Sequence, residues 1–598
     1  MSARASLRVV LAVMVAAASA VPLGAQSPGG QAAGTHATTT TMTGTKGDSS
    51  LLGNEAWQML RGRLTGEMLV TSEMYAQQGA QNRLPAEAWT MSFSPRMELV
   101  GGITVGIDAL LSSQGNQLRQ NINQLGLNPH WSWGTAHLGD FTHGLSQFTT
   151  QGIRVRGLGL DLNPGALRFS LQAGQTQRSV VGGLAAGPVY ARNMMAARLG
   201  VGRESGSYLD LEVVKVKDNP NSAGAGLVIA DTLAADTLFN DTIPSAFRPR
   251  PQTEKRPQEN LVSALVGQLT LFRSALRMKG SLAGSLITGD ETSGRVASSA
   301  LGRLRMVNGL MPIRLSTSGD VAYNLESDLS LPDGGLHGTY AYMGPGYTSL
   351  GLGYVMNDQR QYSLGGDVSL IHGLVSLQGQ YDHQNDNLLG QKLATTNRNV
   401  ITGSVAVRAG AAVTTSLTAM TSLVANDAPV DTFMVHNQVL SLSTSTAIVH
   451  HLRGLPAVAL VTYAYQGVTD ASGIAPAPAV RVHDLSLSEQ LSAGRGMSFA
   501  PTLSGVFTQT AGSADQRNIF AGFRGQGKFL DGKLRPTASV SQSFTNGRRI
   551  FAVRTQTSYT LPTGVRLVIA TRFTSYSAYG SRRAFQETFL TTTLGRSF

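Results

Sequence analysis

The chain reads WTMSFSPRMELVGGITVGIDALL from Trp89 to Leu111. Up to Leu99, one set of alternate positions holds Trp89, Met91, Phe93, Met97 and Leu99, and the other holds Thr90, Ser92, Ser94, Arg96 and Glu98. The alternation stops at Gly101-Gly102 and resumes with Ile103, Val105, Ile107, Ala109 and Leu111 against Thr104, Gly106 and Asp108. A period of two puts apolar side chains on one face of an extended strand and polar ones on the other. A glycine pair between two such runs supplies the positive φ of a tight hairpin. The runs are about ten residues long, more than the ~5–6 usual in soluble strands and close to the ~9–11 that cross a bilayer when tilted.

The same pattern recurs along the chain. Leu167, Phe169, Leu171 and Ala173 oppose Arg168, Ser170, Gln172 and Gly174, and Val375, Leu377 and Tyr381 oppose Ser376, Gln378, Gln380 and Asp382. Short turns are read at Val100-Gly101-Gly102, Asn163-Pro164-Gly165, Glu204-Ser205-Gly206, Gly344-Pro345-Gly346, Ile371-His372-Gly373, Asp531-Gly532 and 561–564. Between them lie longer polar connections at 76–86, 113–147, 178–191, 218–258, 289–297, 383–396 and 468–478. Short turns on one side and long loops on the other are the pattern of transmembrane barrels. The expected fold is all-β: a large closed antiparallel transmembrane β-barrel of about 26 strands (range 22–26), with 130–138 taken as loop, short periplasmic turns and longer outer loops.

Composition narrows the alternatives. Of 598 residues, 14% are charged, 42% are hydrophobic and none is cysteine, where a typical soluble domain is about one quarter charged. The missing cysteine removes disulfide frameworks, thiolate metal sites and cysteine catalysis. Arg4 and Arg8, the apolar run Val9 to Ala20, and the small residues Ala18-Ser19-Ala20 and Leu23-Gly24-Ala25 read as a secretory signal peptide over 1–25. Residues 26–62, rich in Gly, Thr, Ser, Gln and Ala, read as a flexible periplasmic linker, which leaves 63–598 for the barrel.

At the C-terminus Leu590, Thr592, Leu594 and Arg596 alternate ahead of a terminal Phe598. This end resembles the closing strand of bacterial outer-membrane β-barrel proteins, which commonly finish in Phe and present it to the barrel-assembly machinery. The resemblance implies Leu590, Leu594 and Phe598 as the closing signal and the outer membrane of a Gram-negative-type bacterium as the location. It also implies membrane lipid, lipopolysaccharide and the assembly machinery as partners. Arg596 departs from the apolar residue usual at its place. The segment Tyr342 to Gly351 is similar to segments of large outer-membrane barrels.

The formal net charge is +12, and Arg154, Arg156, Arg168, Lys215 and Lys217 are read as lining the lumen, with Arg524, Lys528, Arg566 and Arg572 also on polar faces. Lumen cations select anions; lipopolysaccharide phosphates outside the wall are the competing explanation. The expected function is a channel or transporter for small, anionic solutes. The alternative is a structural or secretion-linked barrel that carries a periplasmic or loop-bound partner or exports a polymer. Nucleic acid is excluded as a partner by the signal peptide and strand pattern. No G-x-S-x-G elbow or H-E-x-x-H helix is present, so no enzyme and no cofactor is expected.

A barrel this wide needs something in its lumen, and the candidates are 113–147 and 218–258. The first holds His137, Asp140 and His143, and the second Asp231, Asp236 and Asp241. These are metal-ligating residue types, though solvated loops explain them equally well and no metal site is assigned. Tyr463, Tyr465, Tyr559, Phe573, Tyr576, Phe585 and Phe589 are the candidates for sparse aromatic girdles at the two membrane interfaces.

Overall fold

The computed structural model describes residues 64–79, 83–99, 101–113, 123–180, 189–222, 256–297, 299, 302–494, 496–580 and 583–598. The signal peptide, the linker and Asp231, Asp236 and Asp241 lie outside the described residues. The strands are β1 (Leu64–Gln78), β2 (Glu87–Glu98), β3 (Thr104–Ser112), β4 (Gln124–Trp131), β5 (Gly134–Thr142), β6 (Arg154–Leu162), β7 (Leu167–Gln177), β8 (Ala191–Gly202) and β9 (Tyr208–Asn219). They continue with β10 (Glu259–Leu271), β11 (Leu276–Thr288), β12 (Thr317–Leu331), β13 (Gly334–Met343), β14 (Gln359–Leu370), β15 (Val375–Asp386), β16 (Thr396–Ala409), β17 (Val413–Asn426) and β18 (His436–Leu452). The last are β19 (Leu455–Asp470), β20 (Val480–Ser492), β21 (Ser498–Thr510), β22 (Gln516–Gln526), β23 (Leu534–Thr545), β24 (Arg548–Thr560), β25 (Val565–Tyr576) and β26 (Phe585–Ser597).

Each strand pairs antiparallel with its neighbours in sequence, and β26 returns to β1 through 12 residue pairs from Glu67–Ser597 to Gln78–Gln586. The result is a closed antiparallel barrel of 26 strands. Closure pairs the backbone groups of both end strands and leaves no sheet edge.

Period-two alternation gives the wall two unlike faces. One carries Leu158, Leu171, Leu199, Leu211, Leu265, Leu282, Leu325, Leu364, Leu417, Leu485, Leu503 and Ile569, all well exposed. The other carries mostly Ser, Thr, Gln and charged side chains. The connections 143–153 and 344–358 leave the wall eight strands apart yet meet each other against the polar face. A chord of that kind crosses the concave side, so the polar face lines the lumen and the aliphatic face is external.

The connections sort by end. Those after even-numbered strands run from two residues (332–333, 453–454) to seven (527–533), and both barrel termini lie at that end. Those after odd-numbered strands reach 28 residues (289–316) and 39 (220–258), although 546–547 has only two. Wall height is uneven: β3 to β6 have eight or nine residues each, whereas β18 and β19 have 17 and 16.

Three expectations need correction. Residues 130–138 are not loop but the β4–β5 hairpin, shortened and joined by few pairs, with Pro129 inside β4 disguising it as a turn. Gly344-Pro345-Gly346 is not a short turn; it opens the long connection 344–358. The tight turn is Pro332-Asp333 before Gly334-Gly335, where proline presets φ and the aspartate and glycines suit a turn. Tyr576, Phe585 and Phe589 face inward and belong to no girdle, whereas Tyr463, Tyr465, Tyr559 and Phe573 face out. Toward the long-connection end the external aromatics Tyr323, Tyr340, Tyr342, Tyr362, Tyr381 and His383 form a partial belt, with Tyr323 and Tyr342 stacked at 5.0 Å and Tyr362 and His383 at 4.7 Å.

Candidate lumen constriction

On β9 the inner positions are Tyr208, Asp210, Glu212, Val214 and Val216. The outer positions are Leu209, Leu211, Val213, Lys215 and Lys217, so over the second half of β9 it is the inner face that is apolar. An apolar inner face needs a cover, and two connections supply it. Phe148 from 143–153 and Tyr347 from 344–358 pack with Val214, Val216, Val262, Ala264 and Val266 in one buried cluster.

Hydrogen bonds fasten both connections to the wall and to each other. The buried Glu212 carboxylate accepts from the Ser146 and Thr149 hydroxyls, each at 2.7 Å. The Tyr347 hydroxyl donates to the Phe148 carbonyl at 2.7 Å, and the Ser349 hydroxyl to the Thr149 carbonyl at 2.9 Å. Burial pushes the Tyr347 phenol upward, with the nearby Glu212 charge adding to it, so the hydroxyl stays a donor. Asn260 on β10 is fully buried; its amide donates to Leu286 O and Thr348 O, and its carbonyl oxygen accepts from Leu350 N at 2.9 Å. At Gly351 a Cβ would stand 2.6 Å from the Thr149 carbonyl oxygen, so any larger residue drives the two connections apart. Asn260→Ala strands the Leu350 N–H, costing about 1–3 kcal/mol if it is left unsatisfied, while the Thr348 carbonyl keeps the Ser285 hydroxyl as donor. The expected result is faster proteolysis within 344–358 with the strands intact, read by fragment mass on the folded barrel.

The sequence-predicted basic residues separate into two groups. Arg168 faces inward, but its guanidinium donates to Asp210 at 2.9 and 3.1 Å and lies over Tyr208 at 4.4 Å. The approach passes over Gly200 on β8, where a Cβ would stand 1.9 Å from the Asp210 carboxylate. Arg154, Arg156, Lys215 and Lys217 lie on the external face, sharing it with Leu158 and Leu160 on β6 and with Leu209 and Leu211 on β9. Their reading as lumen-lining is therefore corrected. Arg156 makes a bidentate pair with Asp140 at 2.9 Å, and Arg154 stands 3.9 Å from the same carboxylate. Lys215 and Lys217 meet Glu259 and Glu291 at 3.1 and 3.4 Å. There the connection 289–316 folds over the outside of the wall, with Met311 and Ile313 packed on Leu261.

The closing residues do meet. Leu590 and Leu594 are external on β26, opposite Met74 and Val70, while Phe598 exchanges two backbone hydrogen bonds with Gly66 at 2.8 and 3.0 Å and its ring lies 6.2 Å from Phe93. His137, Asp140 and His143 do not form one group: His137 and His143 meet inside with ring centroids 5.8 Å apart, whereas Asp140 faces out to Arg156. Among the described residues no group of three or more His, Asp or Glu is placed to hold a metal.

Sequence reasoning named Arg524, Arg566 and Arg572 in one further region of the inner wall and missed Arg535, Arg548 and Arg554 beside them. From β21 to β25 no strand contains Asp or Glu, yet Arg524, Arg535, Arg548, Arg554, Arg566 and Arg572 all point inward. Arg524, Ser539, Arg554, Arg572 and Phe589 are consecutive partners across five strands, so three of these arginines share one rank. This sector of the lumen is basic from one end to the other.

No family model matches the chain, and no curated protein matches it. Solved structures similar to it include the P pilus usher (PapC) translocation pore, with 10% identity over 90% of this chain and 99% of that chain at a TM-score of 0.26. Another is Pseudomonas aeruginosa OccK10 (OpdN), with 12% identity over 64% and 99% at 0.32. A third is the ferric citrate transporter FecA, with 8% identity over 89% and 78% at 0.39.

Proposed function

We propose that this chain is an integral outer-membrane barrel that passes small solutes, anions preferred, through a lumen narrowed by 143–153 and 344–358. The observation that carries this reading is the division of one closed wall into an exposed aliphatic exterior and a polar interior. Only a solvent of hydrocarbon outside and water inside makes that division favourable. The basic sector on β21 to β25 favours anions, because no carboxylate on those strands offsets its field. The external cations Arg154, Arg156, Lys215 and Lys217 stand toward the long-connection end, where lipopolysaccharide phosphates would meet them. Short turns then lie in the periplasm and long connections outside. The reading assigns no catalytic role and no cofactor. Insertion is expected to use the barrel-assembly machinery, with Phe598 at the closing strand.

Folded protein added to a planar bilayer should give discrete conductance steps, and a salt gradient should give a reversal potential on the anion-selective side. A silent bilayer from protein shown to be folded overturns the reading. Steps that appear only after a co-purifying protein is stripped away transfer support to a barrel that serves a secreted partner.

A further inference from the structure

Beside the seam between β26 and β1, the inner wall carries a hollow of about 630 Å³ that is open to the lumen. Three ranks of side chains shape it. The upper rank is mostly large, with Phe520, Ile550 and Tyr576 around the small Ser543; the lower holds Arg554, Arg572 and Phe589. The rank between them runs from Gly522, which the Phe520 ring overlies, through the small Ser541, Ala552 and Thr574 to Glu587. Small side chains between two bulky ranks leave a hollow, and its volume falls in the range of small-molecule sites.

The electrostatics of the hollow are unbalanced. Arg554 and Arg572 are direct cross-strand partners, and like charges so placed repel. Neither makes an ion pair among the described residues. Glu587, the carboxylate lining the cavity, is already held by Arg83 and by the Tyr75 and Tyr576 hydroxyls at 3.0 and 3.2 Å. The Arg572 guanidinium lies 3.9 Å from the Phe589 centroid, which orients it along the cavity floor, and Tyr75 packs on that ring at 4.7 Å. An anion between the two guanidinium groups relieves the repulsion and takes charge-assisted hydrogen bonds from both.

A hydrated inorganic ion would leave Phe520, Ile550, Ala552 and Leu84 wet. A flat ring attached to the anion covers them, and an aromatic edge or face meets Phe520 favourably. We propose that this cavity binds a small aromatic carboxylate, with its carboxylate between Arg554 and Arg572 and its ring in the hollow against Phe520. The inference rests on the solute-passing reading above and names the class of solute.

Benzoate is the probe, in equilibrium dialysis with the folded full-length chain in detergent. Saturable binding is expected, weakened at least about tenfold by Arg572→Gln and by Arg554→Gln, since each removes a charged hydrogen-bond donor. Benzyl alcohol, with the ring but no charge, and inorganic phosphate, with the charge but no ring, should compete poorly. Phe520→Ala should weaken benzoate while leaving phosphate unchanged. Retained heat-modifiable mobility on a gel shows that each variant is folded. Absence of saturable binding, or phosphate competing as well as benzoate, overturns the inference. Dialysis needs no ion flow, so a conducting barrel that ignores benzoate defeats this inference alone, and a silent barrel that binds it defeats the channel reading alone.

Discussion

Replacing residues 345–357 with a two-residue Gly-Ser turn is expected to raise single-channel conductance several-fold. The segment supplies Tyr347, Thr348, Ser349 and Leu350, which hold both the wall and the second inward connection through Phe148, Thr149 and Asn260. Its loss removes one covering element outright and deprives 143–153 of its partner, leaving that connection tied by Glu212. The barrel itself should survive, because its ladders do not pass through the deleted residues and β13 still pairs with β14 over ten residue pairs from Gly334–Val368 to Met343–Gln359. The expected record is larger current steps with little change in resistance to denaturant. Unchanged steps from a folded deletion variant would mean that the solute path avoids this side of the lumen.

The second large effect concerns the exterior. On β16, Ser404 and Val405 are neighbours that point to opposite faces, Ser404 paired with Gln378 and Thr418 inside, and Val405 with Leu377 and Leu417 outside. Val405→Arg should destabilise the barrel in lipid vesicles by about 2–4 kcal/mol, the cost of a cation near the bilayer midplane. Ser404→Arg should cost a small fraction of that, since its charge enters water. Equilibrium unfolding of the two variants in guanidinium checks the difference, and equal costs would refute the assignment of faces on which the account depends.

Alternation alone carried the barrel, its strand directions and most of its turns. It also held the answer that the basic residues required. Counted from Leu158 and Leu160, the phase of β6 puts Arg154 and Arg156 on the external set, and counted from Leu209 and Leu211 the phase of β9 does the same for Lys215 and Lys217. The error lay in equating polar with internal. Near a strand end the outer face leaves the hydrocarbon and becomes polar too, so side must be assigned from the apolar midsection of each strand.

The cavity beside the seam was not legible in that way. It depends on lateral register across β22 to β26, and one strand shows only Arg554 or only Arg572. The constriction left a fainter trace on β9, where Val214 and Val216 form an apolar stretch facing in while Lys215 and Lys217 face out. That stretch implied a cover without saying which connection provides it.

The unequal strands bear on the surroundings of the molecule. With a residue rise of ~3.3 Å and a tilt of ~40°, the nine residues of β5 or β6 stand roughly 23 Å tall, while the 17 of β18 stand roughly 43 Å. No flat slab matches both sides at once. Acyl chains along the low arc must shorten or splay, at a modest elastic penalty for each ångström of mismatch. Two copies that share one dimple suffer that penalty once, so the low arcs attract through the lipid itself, with no contact between the proteins.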